Sequence, residues 1–239
     1  MSAEIPPSVG HRFETPWEAL GPIVRDTVIV EGRSFYLSRP DESDRLLNHP
    51  AIRSAFAADE YLPYWADLWP ASRMLAKTIL REPWPKTEPP LHALEIGCGL
   101  GLPGIVALSV GLRVTFSDYD KTALKFAAQN AQQNGFTDFQ LLQLDWRDPP
   151  ADLKVPVILA ADLIYELRSV PPLVALIKRL LTPDGVCLLT DADRVPSHSL
   201  RETLPTEGLT FTAQQMKAGE PGGRRIKGTL YRIRHAAGS

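Results

Sequence analysis

Two cysteines, Cys98 and Cys187, are all the chain contains. They are too few for a disulfide framework and lack the spacing of a metal site. The five histidines form no HxH or HExxH pair, so no zinc motif is present. No run approaches the ~20 apolar residues of a membrane-spanning helix. The opening stretch MSAEIPPSVGHRFETPW has neither the basic start nor the apolar run of a secretory signal. An excess of one charge is also missing. A net charge of −2 argues against a general binder of nucleic acid or of membrane surfaces. These absences predict a cytoplasmic protein with no metal, membrane or nucleic-acid partner, expected to be a monomer.

What is abundant is proline, 22 residues in 239, or about 9% against a usual ~5%. One cluster, PWPKTEPP (83–90), reads as a connector. Before it, VRDTVIVEGRSFYLSRP (24–40) has the β-branched and aromatic runs of a hairpin turning at Glu31-Gly32. DESDRLLNHPAIRSAFAA has helical character interrupted at Pro50, and PASRMLAKTILRE (70–82) reads as a helix with proline in its first turn.

After the connector the pattern becomes regular. Apolar runs at 91–96, 112–117, 138–144, 155–161 and 185–190 alternate with helical stretches. In DKTALKFAAQNAQQNG, Asp120 is the candidate N-cap and Asn134-Gly135 the stop. SVPPLVALIKRLLTPDG places Leu173, Leu176, Ile177 and Leu180 on one face and is expected to end at Pro183-Asp184-Gly185. The runs are apolar without strict alternation, as strands covered on both faces should be. LTFTAQQM and GTLYRIRH flank GEPGG with no helix between them. The predicted fold class is α/β: a doubly wound, mostly parallel, Rossmann-like sheet closed by an antiparallel C-terminal hairpin. The basic residues Arg224, Arg225, Lys227, Arg232 and Arg234 read as a solvated face of that hairpin.

The most informative stretch is LHALEIGCGLGLPGIVAL (91–108), where Gly97, Gly99, Gly101 and Gly104 fall between a strand and a helix. It contains GxGxxG, and Asp118 follows about 20 residues on, as at a dinucleotide site. Charge points elsewhere. A pyrophosphate seeks free N–H groups at a helix N-terminus; here Glu95 would repel it and Pro103 removes a donor. S-adenosylmethionine carries a sulfonium and an ammonium and no phosphate, so acidic neighbours suit it. Asp118 would accept hydrogen bonds from the ribose hydroxyls of either ligand.

ALEIGCGLGLPG resembles motif I of the class I, seven-β-strand methyltransferases, VTFSD their second-strand acid, and LLTPDGVCLL the stretch before their fifth strand. The resemblance spans roughly residues 64–235. Three more stretches, PYWADLWPASRMLA (63–76), LDWRD (144–148) and AADLIYE (160–166), resemble the methyltransferase-like protein-lysine methyltransferases, marked by D-x-x-Y after strand four. Here that is Asp162-Leu-Ile-Tyr165. TDADR (190–194) is similar to the D-P-x-R of the branch acting on the electron-transfer flavoprotein β-subunit, with Ala192 in place of the proline.

The resemblance implies seven strands, S-adenosyl-L-methionine as cofactor and a protein lysine as acceptor. It implies a methyltransferase domain over 63–239, preceded by a β-hairpin and short helices at 1–62. The candidate cofactor-binding residues are Trp69, Glu95, Gly97, Cys98, Gly99, Gly101, Asp118, Asp145, Trp146 and Ala161. By resemblance, Trp146 lies near the adenine and Trp69 near the methionine end. Asp162 and Tyr165 are the candidate catalytic pair, although Asp162 could instead cap a helix and Tyr165 could be packing. Glu95, Asp118, Asp145 and Asp162 are expected to form an acidic rim at the carboxyl ends of the strands. The same fold admits a small-molecule N-methyltransferase or a non-catalytic cofactor-binding module.

Overall fold

The computed structural model describes residues 13–219, 223 and 225–237. The first two strands, β1 (Ile23–Val30) and β2 (Arg33–Pro40), form the expected hairpin with Glu31 and Gly32 at its turn, both at positive φ. Helices α1 (Asp44–Leu47) and α2 (Pro50–Asp59) follow, with Pro50 opening the second. Proline is tolerated there because a first-turn N–H has no intrahelical partner. Helix α3 (Pro70–Arg81) leads through the proline connector to β3 (His92–Ile96).

Then come α4 (Leu102–Ser109), β4 (Arg113–Asp118), α5 (Lys121–Gln133) and β5 (Gln140–Gln143). The chain continues as β6 (Val155–Ala161), α6 (Val170–Leu180), β7 (Leu181–Asp191), α7 (Ser197–Thr206), β8 (Leu209–Ala218) and β9 (Ile226–His235). The seven-stranded sheet has the order β5-β4-β3-β6-β7-β9-β8. The strands from β3 to β7 pair in parallel, and β9 pairs antiparallel with both β7 and β8. The turn GEPGG lies largely outside the described residues, as does Arg224. Of the other C-terminal basic residues, Arg232 pairs with Glu82 at 2.6 Å and Arg234 donates to the carbonyls of Asp184 and Gly185.

Apolar cores lie on both faces of the sheet. On one face Leu75, Ile79, Ile105, Val106 and Leu124 pack with Val114 and Val157. Val28, Val30, Phe35 and Leu37 of the hairpin join this core. On the other face Leu173, Ile177 and Leu180 of α6 and Leu200 and Leu204 of α7 pack with Leu94, Ile158 and Leu189.

Two elements depart from the sequence expectation. Helix α6 stops at Leu180 and β7 starts at once at Leu181, with a register shift against β6 before Val157. Pro183 explains the early stop, since the residue before a proline is pushed out of the helical region. Helix α7 was not foreseen, because Pro205 in its last turn breaks the pattern.

The topology fixes where a ligand can lie. From β3 the chain moves outward through β4 to β5, then returns to place β6 on the other side of β3. The crevice beyond the carboxyl ends of β3 and β6 is the switch point of the sheet. Among the described residues, no helix is long and apolar enough to cross a membrane.

Candidate functional site

At the end of β3 the backbone turns through Gly97, Gly99 and Gly101, at φ 57°, 51° and 83°. A side chain on Gly97 would meet Leu163 at 2.6 Å, and one on Gly99 would meet the Trp65 carbonyl at 3.2 Å. The loop is therefore glycine-rich for conformation and for close approach. Its donors are largely committed. The N–H groups of Cys98, Gly99 and Gly101 reach Ser117 O, Asp118 Oδ2 and Cys98 O at 2.8–2.9 Å. Pro103 has no N–H, and that of Gly104 donates to Glu95 Oε2 at 2.9 Å. Four N–H groups of the turn are thus engaged within the fold and Pro103 offers none, which agrees with the charge argument from sequence.

Beyond the loop lies a cavity of about 300 Å³. It is lined by Trp69, Gly97, Cys98, Gly99, Gly101, Asp118, Asp145, Trp146, Ala161, Asp162 and Tyr165. Glu95 is the one sequence-predicted site residue that does not line it. Its side chain follows the alternation of β3: Leu94 and Ile96 enter the α6 side, while Glu95 is buried beneath α4 and binds Gly104. Burial pushes its carboxyl well above the usual range. The structure thus ties Glu95 to the turn that shapes the cavity, rather than to the cavity wall.

Asp118 ends β4. Its oxygens accept from the Gly99 and Asp120 N–H groups at 2.9 and 3.0 Å. Burial nevertheless raises its carboxyl to about 7. Asp145 does not add bare negative charge: Arg147 binds both its oxygens, at 2.7–3.0 Å. The same guanidinium makes two 2.9 Å bonds to Asp59, joining the end of β5 to α2. Arg168 similarly holds Glu60 and Glu166. The expected acidic rim is therefore laced with arginines. Trp146 lies half-buried beside it, packed against the α6-side core.

On the opposite side, Asp162 directly follows β6. Its φ of 60° is unusual for a residue with a side chain. The Asp162 N–H donates to Thr190 O at 2.9 Å, holding it there. One carboxylate oxygen accepts from Arg194 at 3.2 Å; the other, Oδ1, is buried with no hydrogen-bond partner. Burial raises the group to about 6, with Arg194 lowering it and Asp191 raising it. Asp162 caps no helix, since the turn at 167–169 and α6 are preceded by Glu166 and Ser169. Tyr165 stands partly exposed, edge-on to Tyr64 with 4.9 Å between ring centroids, and desolvation raises its hydroxyl to about 12. Trp69 precedes α3; its indole N–H donates to Tyr64 O at 2.7 Å, and Arg194 lies 5.3 Å from its ring centroid.

Sequence reasoning missed Arg147, Arg168, Tyr61, Tyr64 and Tyr119 at this cavity. Arg194 was singled out only as part of TDADR. Each arginine also joins a carboxylate far away in the chain, Arg147 to Asp59, Arg168 to Glu60 and Arg194 to Asp162, and no local spacing reports those pairings. A buried anchor at Asp120 was also missed beyond its capping role. Asp120 caps α5 through Thr122 N–H and accepts from Thr15 N–H at 3.0 Å and from the Tyr61 hydroxyl at 2.5 Å. This straps residues 13–15 across the sheet end and holds Tyr61 at the cavity.

The strand order and the glycine turn are those of the class I methyltransferase fold. Within that class, the chain belongs to the lysine methyltransferase family, whose model matches residues 64–201. It is 27% identical to the protein-lysine N-methyltransferase rrg1 of Schizosaccharomyces pombe, over 87% of this chain and 67% of that protein. It is 37% identical to the ribosomal protein L11 methyltransferase of Pasteurella multocida, over 39% of this chain and 31% of that one. The chain thus spans about two thirds of the first relative's length and a third of the second's. The structure is similar to a ribosomal protein L11 methylase from Lactobacillus delbrueckii subsp. bulgaricus (TM-score 0.53, 21% identity, covering 70% of this chain and 79% of that one). It is also similar to the mitomycin 7-O-methyltransferase MmcR (TM-score 0.54, 16% identity, covering 70% and 54%). Family and fold together imply use of S-adenosylmethionine.

Proposed function

We propose that the protein transfers a methyl group from S-adenosylmethionine to the side-chain nitrogen of a lysine in another protein, with residues 63–239 as the methyltransferase unit. The observation that carries this reading is Asp162. It is a buried carboxylate on a left-handed backbone, facing the cavity, with one oxygen left without a partner. An unsatisfied buried acceptor is costly in a resting fold. It gains a partner when an amine arrives. The family match and the rrg1 relative support lysine as the source of that amine.

The cavity suits the cofactor. Asp118 offers a carboxylate for the ribose hydroxyls, the glycine turn leaves room at the backbone, and Trp146 and Trp69 offer flat apolar walls. When bound, S-adenosylmethionine would supply an electrophilic methyl group on a sulfonium, with a neutral thioether as the leaving group. The chain's own residues place the nitrogen. Asp162 accepts a hydrogen bond from it and fixes its approach, Tyr165 orients it or shapes the channel, and Tyr64 and Trp69 help exclude water. Positioning of this kind is a main source of rate in a two-reactant step.

The experiment is Asp162→Asn, assayed on one sample for cofactor affinity and for methyl transfer to protein. Transfer is expected to fall by at least about 100-fold while cofactor affinity stays within a few fold. Retained transfer would remove Asp162 from the acceptor site and the lysine reading with it.

A further inference from the structure

A lysine amine must be neutral to act as nucleophile, yet its ordinary pKa is ~10.4. A bare carboxylate beside it would hold it as ammonium and oppose the reaction. Asp162 is not bare. Arg194 donates to its Oδ2 at 3.2 Å and leaves Oδ1 buried and without a hydrogen-bond partner. The guanidinium lies against Trp69, and the Arg194 backbone N–H is anchored separately. The guanidinium centre lies 5.3 Å from the Trp69 ring centroid, a cation–π arrangement. The Arg194 N–H donates to Asp191 Oδ2 at 3.1 Å, which pins the loop after β7. Ser197 Oγ donates to that same oxygen at 2.5 Å, joining the loop to α7.

We infer that Arg194 is a positioning residue for the acceptor nitrogen: its guanidinium holds one oxygen of Asp162 and offsets the charge, leaving the other oxygen to accept from a neutral amine. This rests on the lysine reading above. The charged and titratable groups around Asp162 are consistent with it. From the end of β7, Asp191 faces it as a second buried acid. From the following loop, Asp193 is engaged by Thr229 at 2.6 Å. Tyr165 and the Glu166–Arg168 pair from the loop after β6, and Tyr64 from before α3, line the same cavity as Asp162. Among the described residues, Arg194 is the cation paired with Asp162. The lysine's proton passes to solvent as the amine enters, because a cation 3.2 Å from the carboxylate disfavours a second one there.

Two variants test this. Arg194→Gln keeps a hydrogen-bond donor without charge, and Arg194→Lys keeps the charge. Methyllysine formation from labelled cofactor in cell lysate is followed against pH, and binding of Nα-acetyl-lysine amide is compared with that of its norleucine counterpart by calorimetry. Arg194→Gln is expected to move the rising alkaline limb of the rate up by about one pH unit. At pH 7 it should also prefer the lysine probe over norleucine about tenfold more than wild type does. Arg194→Lys should track the wild type in both. Superimposable pH profiles for wild type and Arg194→Gln, with rate and melting temperature falling together, would overturn the inference and leave Arg194 a structural residue. Absence of methyllysine with the wild-type protein at every pH would instead overturn the lysine reading itself.

Discussion

Asp118 shows how burial can set the working range of a site. Its carboxyl is raised to about 7 because the cost of desolvation exceeds the help of two backbone N–H groups. A carboxylate that accepts from ribose hydroxyls binds best when ionised. Cofactor affinity should therefore weaken by about tenfold from pH 8 to pH 6. Titration calorimetry should detect proton release near pH 7, through a difference in heat between two buffers. Affinity that is flat over this range would place the ribose elsewhere. Asp118 and Asp162 were readable from the sequence because each ends an apolar run that reads as a strand. Glu95 was readable as important but not as to how. Its alternation along β3 puts it under α4, and only the fold reveals that Gly104 takes its oxygen. Arg147 and Arg194 were harder still. Arg147 meets Asp59 88 positions away, and Arg194 meets Asp162 32 positions away, so no local spacing reports either pairing.

The strand–turn–helix unit from β3 to α4 owes its shape to contacts of the same kind. Gly104 sits where an added Cβ would lie 2.3 Å from Phe116 Cε1 and 2.5 Å from Glu95 Oε2. Gly104→Ala should therefore destabilise the protein by about 1–3 kcal/mol, despite alanine's better helix propensity. Thermal unfolding checks this, with a drop of about 2–4 °C per kcal/mol for a chain of this size. An unchanged or higher melting temperature would mean the turn has slack that these distances deny. The hairpin, α3, α5 and the parallel strands were legible because periodicity and turn residues agreed along each. Helix α7 was not. Leu200 and Leu204 do have helical spacing, but Pro205 within the element argues for a loop. Burial of the two leucines against the α6-side core overrides that local signal.

Across the molecule, three buried acids, Glu95, Asp118 and Asp162, hold their protons more tightly than an unfolded chain would. Their contribution to stability is fully present below the unfolded values near ~4. It is lost as pH rises through about 6 for Asp162 and about 7 for Asp118. The cofactor-free protein should accordingly melt about 3–6 °C lower at pH 8 than at pH 5.5. Asp162→Asn should melt at or above wild type at pH 8, because the amide tolerates positive φ and carries no buried charge. A wild-type profile that rises with pH would contradict this. Asp118 and Asp162 thus cost stability near neutral pH while lining the cavity, which fits the proposed cationic cofactor and amine acceptor. What most needs measuring is the nitrogen that accepts the methyl group. Its most direct measurement is incubation of the protein with methyl-labelled S-adenosylmethionine and cell lysate, followed by complete acid hydrolysis and chromatography of the labelled amino acids. The account predicts label in methyllysine with the wild-type protein and none above background with Asp162→Asn. Label confined to small molecules or nucleic acid, or methyllysine formed equally well by Asp162→Asn, would contradict it.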